Sequence, residues 1–153
     1  MKFVEAKIKL NQLSKMIILF IMFVILVAGC SSKTSVTQDD INQAKKVVTN
    51  FFMALQSGNY DEANKALGRY MKGLYTADNI SKWKPRILSI EYPGRFTNSH
   101  IPPESYKANY GRDPYKSMNL YVEFMDETGK QGWDYILIKE TKDSPWEIHD
   151  WGQ

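Results

Sequence analysis

The clearest hydrophobic pattern in the chain lies between residues 38 and 58. Ile41, Ala44, Val47, Val48, Phe51, Phe52 and Leu55 recur at three- and four-residue intervals, and Lys45, Lys46, Asn50 and Gln56 fall largely outside that stripe. This spacing predicts a long amphipathic helix that buries one face. Thr37 or Asp39 serves as its N-cap, and Asp39 and Asp40 suit the positive end of its dipole. Ser57-Gly58-Asn59 ends it, with Gly58 as the C-cap. A second helix is expected from Tyr60 through Ala63, Ala66 and Leu67. Tyr70 to Trp83 reads as a further short helical stretch, broken at Gly73 and restarted at Asp78.

Beyond Lys84-Pro85 the period changes from three-four to two, the mark of strands. Arg86–Tyr92 predicts the first, stopped by Pro93-Gly94. Residues 95–114 contain Pro102, Pro103, Gly111 and Pro114 and read as a long loop or irregular edge strand. Tyr115–Asp126 then alternates, with Leu120, Val122 and Phe124 on one face. A turn over Thr128–Gly132, a strand over Trp133–Thr141, a turn at Asp143–Pro145 and a last strand over Trp146–Trp151 complete the pattern. Short turns between consecutive strands imply an antiparallel meander. Helices followed by such a sheet define an α+β fold.

The N-terminus follows different rules. Its apolar run, Met16–Val27, would make about 18 Å of helix, well short of the ~30 Å hydrocarbon core of a bilayer. Four lysines and Glu5 precede Cys30, out of 20 basic and 17 acidic side chains in all, so the basic excess belongs wholly to that segment. The remainder is balanced and offers no electrostatic footprint for nucleic acid. A basic n-region, a short apolar run and small residues describe a signal peptide.

Leu26-Val27-Ala28-Gly29-Cys30 resembles the lipobox of bacterial lipoproteins, and Cys30 is the single cysteine. The resemblance implies a diacylglycerol thioether on Cys30, cleavage of the Gly29–Cys30 bond, and acylation of the new amine by a chain such as palmitate. The expected organisation is a signal peptide over 1–29, a lipidated cysteine and polar tether over 30–38, and a domain over 39–153. The expected location is a bacterial cell membrane, with the domain lipid-anchored and facing the extracytoplasmic side.

Two phrases carry a second resemblance. Phe51-Phe52-Met53-Ala54-Leu55 with Gly58-Asn59-Tyr60-Asp61-Glu62-Ala63 lies at the helical end, and Ser144-Pro-Trp-Glu-Ile-His-Asp-Trp-Gly152 at the other. Together they resemble the cone-shaped α+β superfamily of nuclear transport factor 2, ketosteroid isomerase and limonene epoxide hydrolase. More narrowly, they resemble small bacterial lipoproteins with a domain of unknown function placed there. The resemblance implies N-terminal helices on a curved antiparallel sheet, a cystatin-like roll. It does not fix the activity.

Candidate chemistry is sparse. Asp150, expected to share a face with Trp146 and Ile148, and Asp134, grouped with Ile136 and Ile138, are the weak catalytic candidates, because isomerases of this superfamily use a pocket carboxylate as base. His100 and His149 lack metal-ligand spacing. Ser81-Lys82-Trp83-Lys84 matches Ser-x-x-Lys without its companion motifs, and Asn79-Ile80-Ser81 is a formal glycosylation sequon. Neither a metal nor a cofactor is expected. Trp133, Trp146 and Trp151 on adjacent strands suit core packing, or a sheet surface for a protein partner or self-association. The sequence favours a membrane-anchored, non-enzymatic binding or interaction module whose ligand it does not specify. A small isomerase or hydrolase of the same fold is the alternative, and a structural accessory of an envelope assembly a third reading.

Overall fold

A computed structural model of the chain describes residues 35–77, 83–95 and 103–152. Cys30, Gly29, His100, the sequon at 79–81 and the restart at Asp78 lie outside the described residues.

Helix α1 spans Gln38–Ser57. Thr37 is the N-cap and forms a reciprocal capping box with Asp40: its hydroxyl accepts from the Asp40 N–H, and the Asp40 carboxylate accepts from the Thr37 N–H at 2.9 Å. Two otherwise orphaned donors are thereby satisfied. Gly58 closes the helix at φ 73°, where a side chain would strain the backbone. The buried face comprises Ala44, Val48, Phe51, Phe52, Ala54 and Leu55. Helix α2, Tyr60–Lys65, starts at the Asn59 cap.

The stretch after it differs from expectation. Tyr70–Gly73 is a series of turns rather than a helix. The Asn64 side chain explains this, donating to the Tyr75 carbonyl at 2.7 Å and accepting from the Gly73 N–H at 3.1 Å. A side chain that supplies backbone partners competes with helical hydrogen bonding.

The four strands are β1 (Arg86–Glu91), β2 (Lys116–Asp126), β3 (Gly129–Lys139) and β4 (Trp146–Gly152). They form one antiparallel sheet in the order β1-β2-β3-β4, the expected meander. The β2–β3 turn is tighter than expected. Asp126 pairs with Gly129, so Glu127-Thr128 alone makes the turn and β3 begins four residues earlier than Trp133. Asp126 holds it, accepting from the Thr128 N–H and hydroxyl.

The sheet has two faces with different cover. One, bearing Leu120, Val122, Phe124, Tyr135 and Leu137, packs on α1. The segment between β1 and β2 meets residues of the other. Here the expected loop holds a helix, α3, Glu104–Tyr110, between Pro103 and Gly111. Tyr106 and Tyr110 are four apart on it, with rings 4.6 Å between centroids. The prolines dominated the sequence pattern, but Pro103 occupies the N-cap position, where it does not interrupt the helix.

Lys116, at the start of β2, ties sheet to helix. Its ammonium meets the Asp40 carboxylate at 2.5 Å, with side-chain exposures of only 10% and 9%.

Candidate functional site

The space between α1 and the sheet is where this arrangement would place a ligand pocket. Aromatic rings occupy it. Phe52 packs against Phe124 and Tyr135 at 5.3 and 5.6 Å, and Phe51 against Tyr75 at 5.5 Å. Trp83 lies parallel to both Tyr75 and Trp133. Offset and edge contacts at these distances are favourable ring geometries. The interior retains polar points: the Tyr135 hydroxyl and the indole N–H groups of Trp133 and Trp146 are buried with no partner among the described residues. Burial pushes the Tyr135 hydroxyl well above its ordinary pKa, so it stays a neutral donor.

Asp150 does not share the face of Trp146 and Ile148. The pairing shifts between Ile136–Asp150 and Leu137–Ile148, leaving His149 as an extra residue in β4. This bulge inverts the alternation. Trp151 therefore pairs with Tyr135 and stacks on it at 5.8 Å, while Asp150 pairs with Ile136 on the opposite face. The Asp150 carboxylate accepts from the Trp151 N–H at 2.9 Å.

Asp134 also lies on that opposite face, paired with Tyr121. It is 4% exposed and accepts from the Arg95 N–H at 2.6 Å and the Asn119 amide at 3.2 Å. Gly94 lies so close that a Cβ there would overlap both the Asp134 carboxylate and the Asn119 amide. Arg95 in turn sits over the Tyr121 ring, its guanidinium carbon 3.4 Å from the centroid. Asp134 thus fastens the chain leaving β1 to the sheet. Replacing Asp134 with Ala should cost about 1–3 kcal/mol by removing the buried acceptor of both bonds, and Asn should recover part of this because its amide oxygen still accepts. Urea titration of the three forms measures it; an alanine variant as stable as the parent removes the anchoring role.

His149 belongs to a cluster that the sequence did not announce. It is buried, shares a 3.0 Å hydrogen bond between Nε2 and the Ser105 hydroxyl, and lies 5.4 Å from the Tyr106 ring and 5.8 Å from Tyr70. Burial pushes its pKa down, against the opposing pull of Asp150 and Glu140. The contact fixes α3 to β4. The Tyr106–Tyr110 spacing was the available signal for α3; the pairing of Ser105 with His149 left none, because it depends on the bulge.

A separate open recess of about 340 Å³ lies at the α1–α2 junction, lined by Asn59, Asp61, Asn64, Tyr75 and neighbours. Asn59 and Asn64 are already engaged with backbone groups there. Among the described residues, no three His, Cys, Asp or Glu side chains converge as metal ligands. No helix among them is long and apolar enough to cross a membrane.

These features define an α+β domain, one long helix against a four-stranded antiparallel meander. Residues 45–152 match the DUF4829 family, a domain of unknown function, and the chain belongs to that family. Neither the curated proteins nor the solved structures yielded a match.

Proposed function

We propose that this protein is an extracytoplasmic lipoprotein, held to a bacterial membrane by lipid on Cys30 after cleavage of Gly29–Cys30. Its domain is a non-enzymatic binding or interaction module, a small cone-shaped roll of the kind found in nuclear transport factor 2 and ketosteroid isomerase. The observation that carries the anchor is the sequence Leu26-Val27-Ala28-Gly29-Cys30, which puts the single cysteine where lipidation requires its thiol. The long helix against an antiparallel meander supports the roll. Asp134 and Asp150 both lie on the sheet face away from the long helix, which supports a module without a carboxylate base in the helix–sheet space, since a base must reach the substrate it deprotonates.

Cys30→Ala tests the anchor. Metabolic labelling with an alkyne fatty acid should mark the parent chain and leave the variant unmarked, uncleaved or released from membranes. Equal labelling of both would end the lipoprotein reading.

A further inference from the structure

We propose that two copies of this chain join edge to edge through β1, antiparallel, with Arg86 opposite Glu91 and Ile87 opposite Ile90 of the second copy. The two open edges of the sheet are treated differently. Beyond β4 runs the segment Ala66–Gly68, whose backbone bonds β4 twice: the Gly68 N–H donates to the Ile148 carbonyl and the Ile148 N–H donates to the Ala66 carbonyl, each at 2.8 Å. Among the described residues no strand lies beyond β1. An edge of this kind offers a row of backbone donors and acceptors to another strand.

The composition of β1 favours pairing. Proline or charge in mid-strand is one common protection of an edge. Here Ile87-Leu88-Ser89-Ile90 is uncharged, Leu88 is 40% exposed, and the charges sit only at the two ends, Arg86 and Glu91.

The register with β2 selects a second copy as the occupant. Arg86, Ser89 and Glu91 pair with Met125, Glu123 and Tyr121, while Ile87 and Ile90 pair with Phe124 and Val122. Directly opposed residues share a face, so Ile87 and Ile90 lie on the helix-covered face and Arg86 and Glu91 together on the other. In a regular strand, positions five apart fall on opposite faces. The irregularity at Leu88, between Ile87 and Ser89, brings the two charges onto one face.

A two-fold axis perpendicular to the sheet keeps each residue on its own face. Across it, Arg86 meets Glu91 twice and Ile87 meets Ile90 twice, both kinds of pair face-matched, with Leu88 meeting Ser89 at the axis. Parallel in-register pairing instead sets Arg86 beside Arg86 and Glu91 beside Glu91. The result is a continuous eight-stranded sheet with both long helices on one side. The inference rests on β1 alone and stands whether or not Cys30 carries a lipid, so the two readings fail separately.

Charge reversal tests it on the full chain in detergent, with mass read by sedimentation and folding by far-UV circular dichroism. The parent should be dimeric. R86E and E91R should each stay folded and weaken the dimer by about tenfold, since each reversal turns two exposed attractive pairs into repulsive ones. The double variant R86E/E91R, which swaps the charges, should restore the parent affinity. A monomeric parent, a dimer indifferent to both reversals, or a double variant that stays weak overturns the proposal.

Discussion

Replacing Asp40 with alanine should cost about 3–5 kcal/mol, the usual loss when one partner of a buried ion pair is removed and the other charge stays behind. Three interactions disappear together: the salt bridge to Lys116 and the bonds that the Asp40 carboxylate accepts from the Thr37 N–H and hydroxyl, while the backbone N–H of residue 40 can still donate to Thr37. Lys116→Ala should cost nearly as much, and the double variant clearly less than the sum, because neither charge is then stranded. Urea denaturation of the four forms gives the coupling. The pair also sets a pH dependence. Burial alone would raise the Asp40 pKa, but the Lys116 ammonium and the Thr37 N–H and hydroxyl outweigh it and hold it at about 2, below the ordinary 3.8. The folded state therefore binds fewer protons than the unfolded state between these values. Its contribution is fully present above the ordinary pKa and is lost as pH falls through 3.8 toward 2. At about 1.4 kcal/mol per unit, this part amounts to about 2 kcal/mol, and Asp40→Asn should remove it from the acid limb of the stability profile. An acid limb unchanged in Asp40→Asn would show that the pair does not hold the proton off.

Periodicity made the helix-covered side of the domain legible. The apolar stripe of α1, its Gly58 stop and the alternation of β2 each reflect burial against one neighbour, and a one-dimensional pattern records burial well. Asp40 was read only as a dipole partner. Its bond to Lys116 joins positions distant in sequence, and no local spacing encodes such a contact. The other side of the sheet was less legible for a different reason. Its cover is a connecting segment with a short helix between Pro103 and Gly111, and the punctuating residues masked the Tyr106–Tyr110 spacing.

The candidate site shows the same limit more sharply. Assigning Asp150 to the face of Trp146 and Ile148 assumed unbroken alternation. One extra residue, His149, reverses everything after it and sends Trp151 inward instead. A bulge leaves no compositional trace in Trp-Glu-Ile-His-Asp-Trp. The β1 irregularity at Leu88 acts likewise, since only it puts Arg86 and Glu91 on one face. Both irregularities lie in the outermost strands, where bulges are common. What the sequence read as two ordinary alternating strands are the two places where the sheet's chemistry is re-aimed.

Phe51→Ala should cost about 3–5 kcal/mol, the range for removing a large aromatic side chain from a packed core. Phe51 is fully buried, and its ring meets Phe52, Tyr75, Tyr135 and Trp151 at centroid distances of 5.8, 5.5, 6.4 and 6.2 Å. It is thus the point where α1, the turns after α2, β3 and β4 converge. Phe51→Leu, which keeps most of the volume, should cost under about 1.5 kcal/mol. Met53, two residues on and 61% exposed, provides the control: Met53→Ala should change stability by no more than about 0.5 kcal/mol. Urea midpoints at constant slope report all three. The size of the Phe51→Ala loss bears on function as well as folding. The cost of such a truncation grows with the cavity it leaves, so a large loss means that the rings fill the helix–sheet space and hold one another rigidly. On the proposed reading as an interaction module, the surface to test is then outside that space, at the β1 edge. A loss under about 1 kcal/mol would mean instead that the space collapses or was never closely filled. The orphaned Tyr135 hydroxyl and Trp133 N–H would then be polar points of a ligand pocket, which small-molecule titration of the parent chain would reveal.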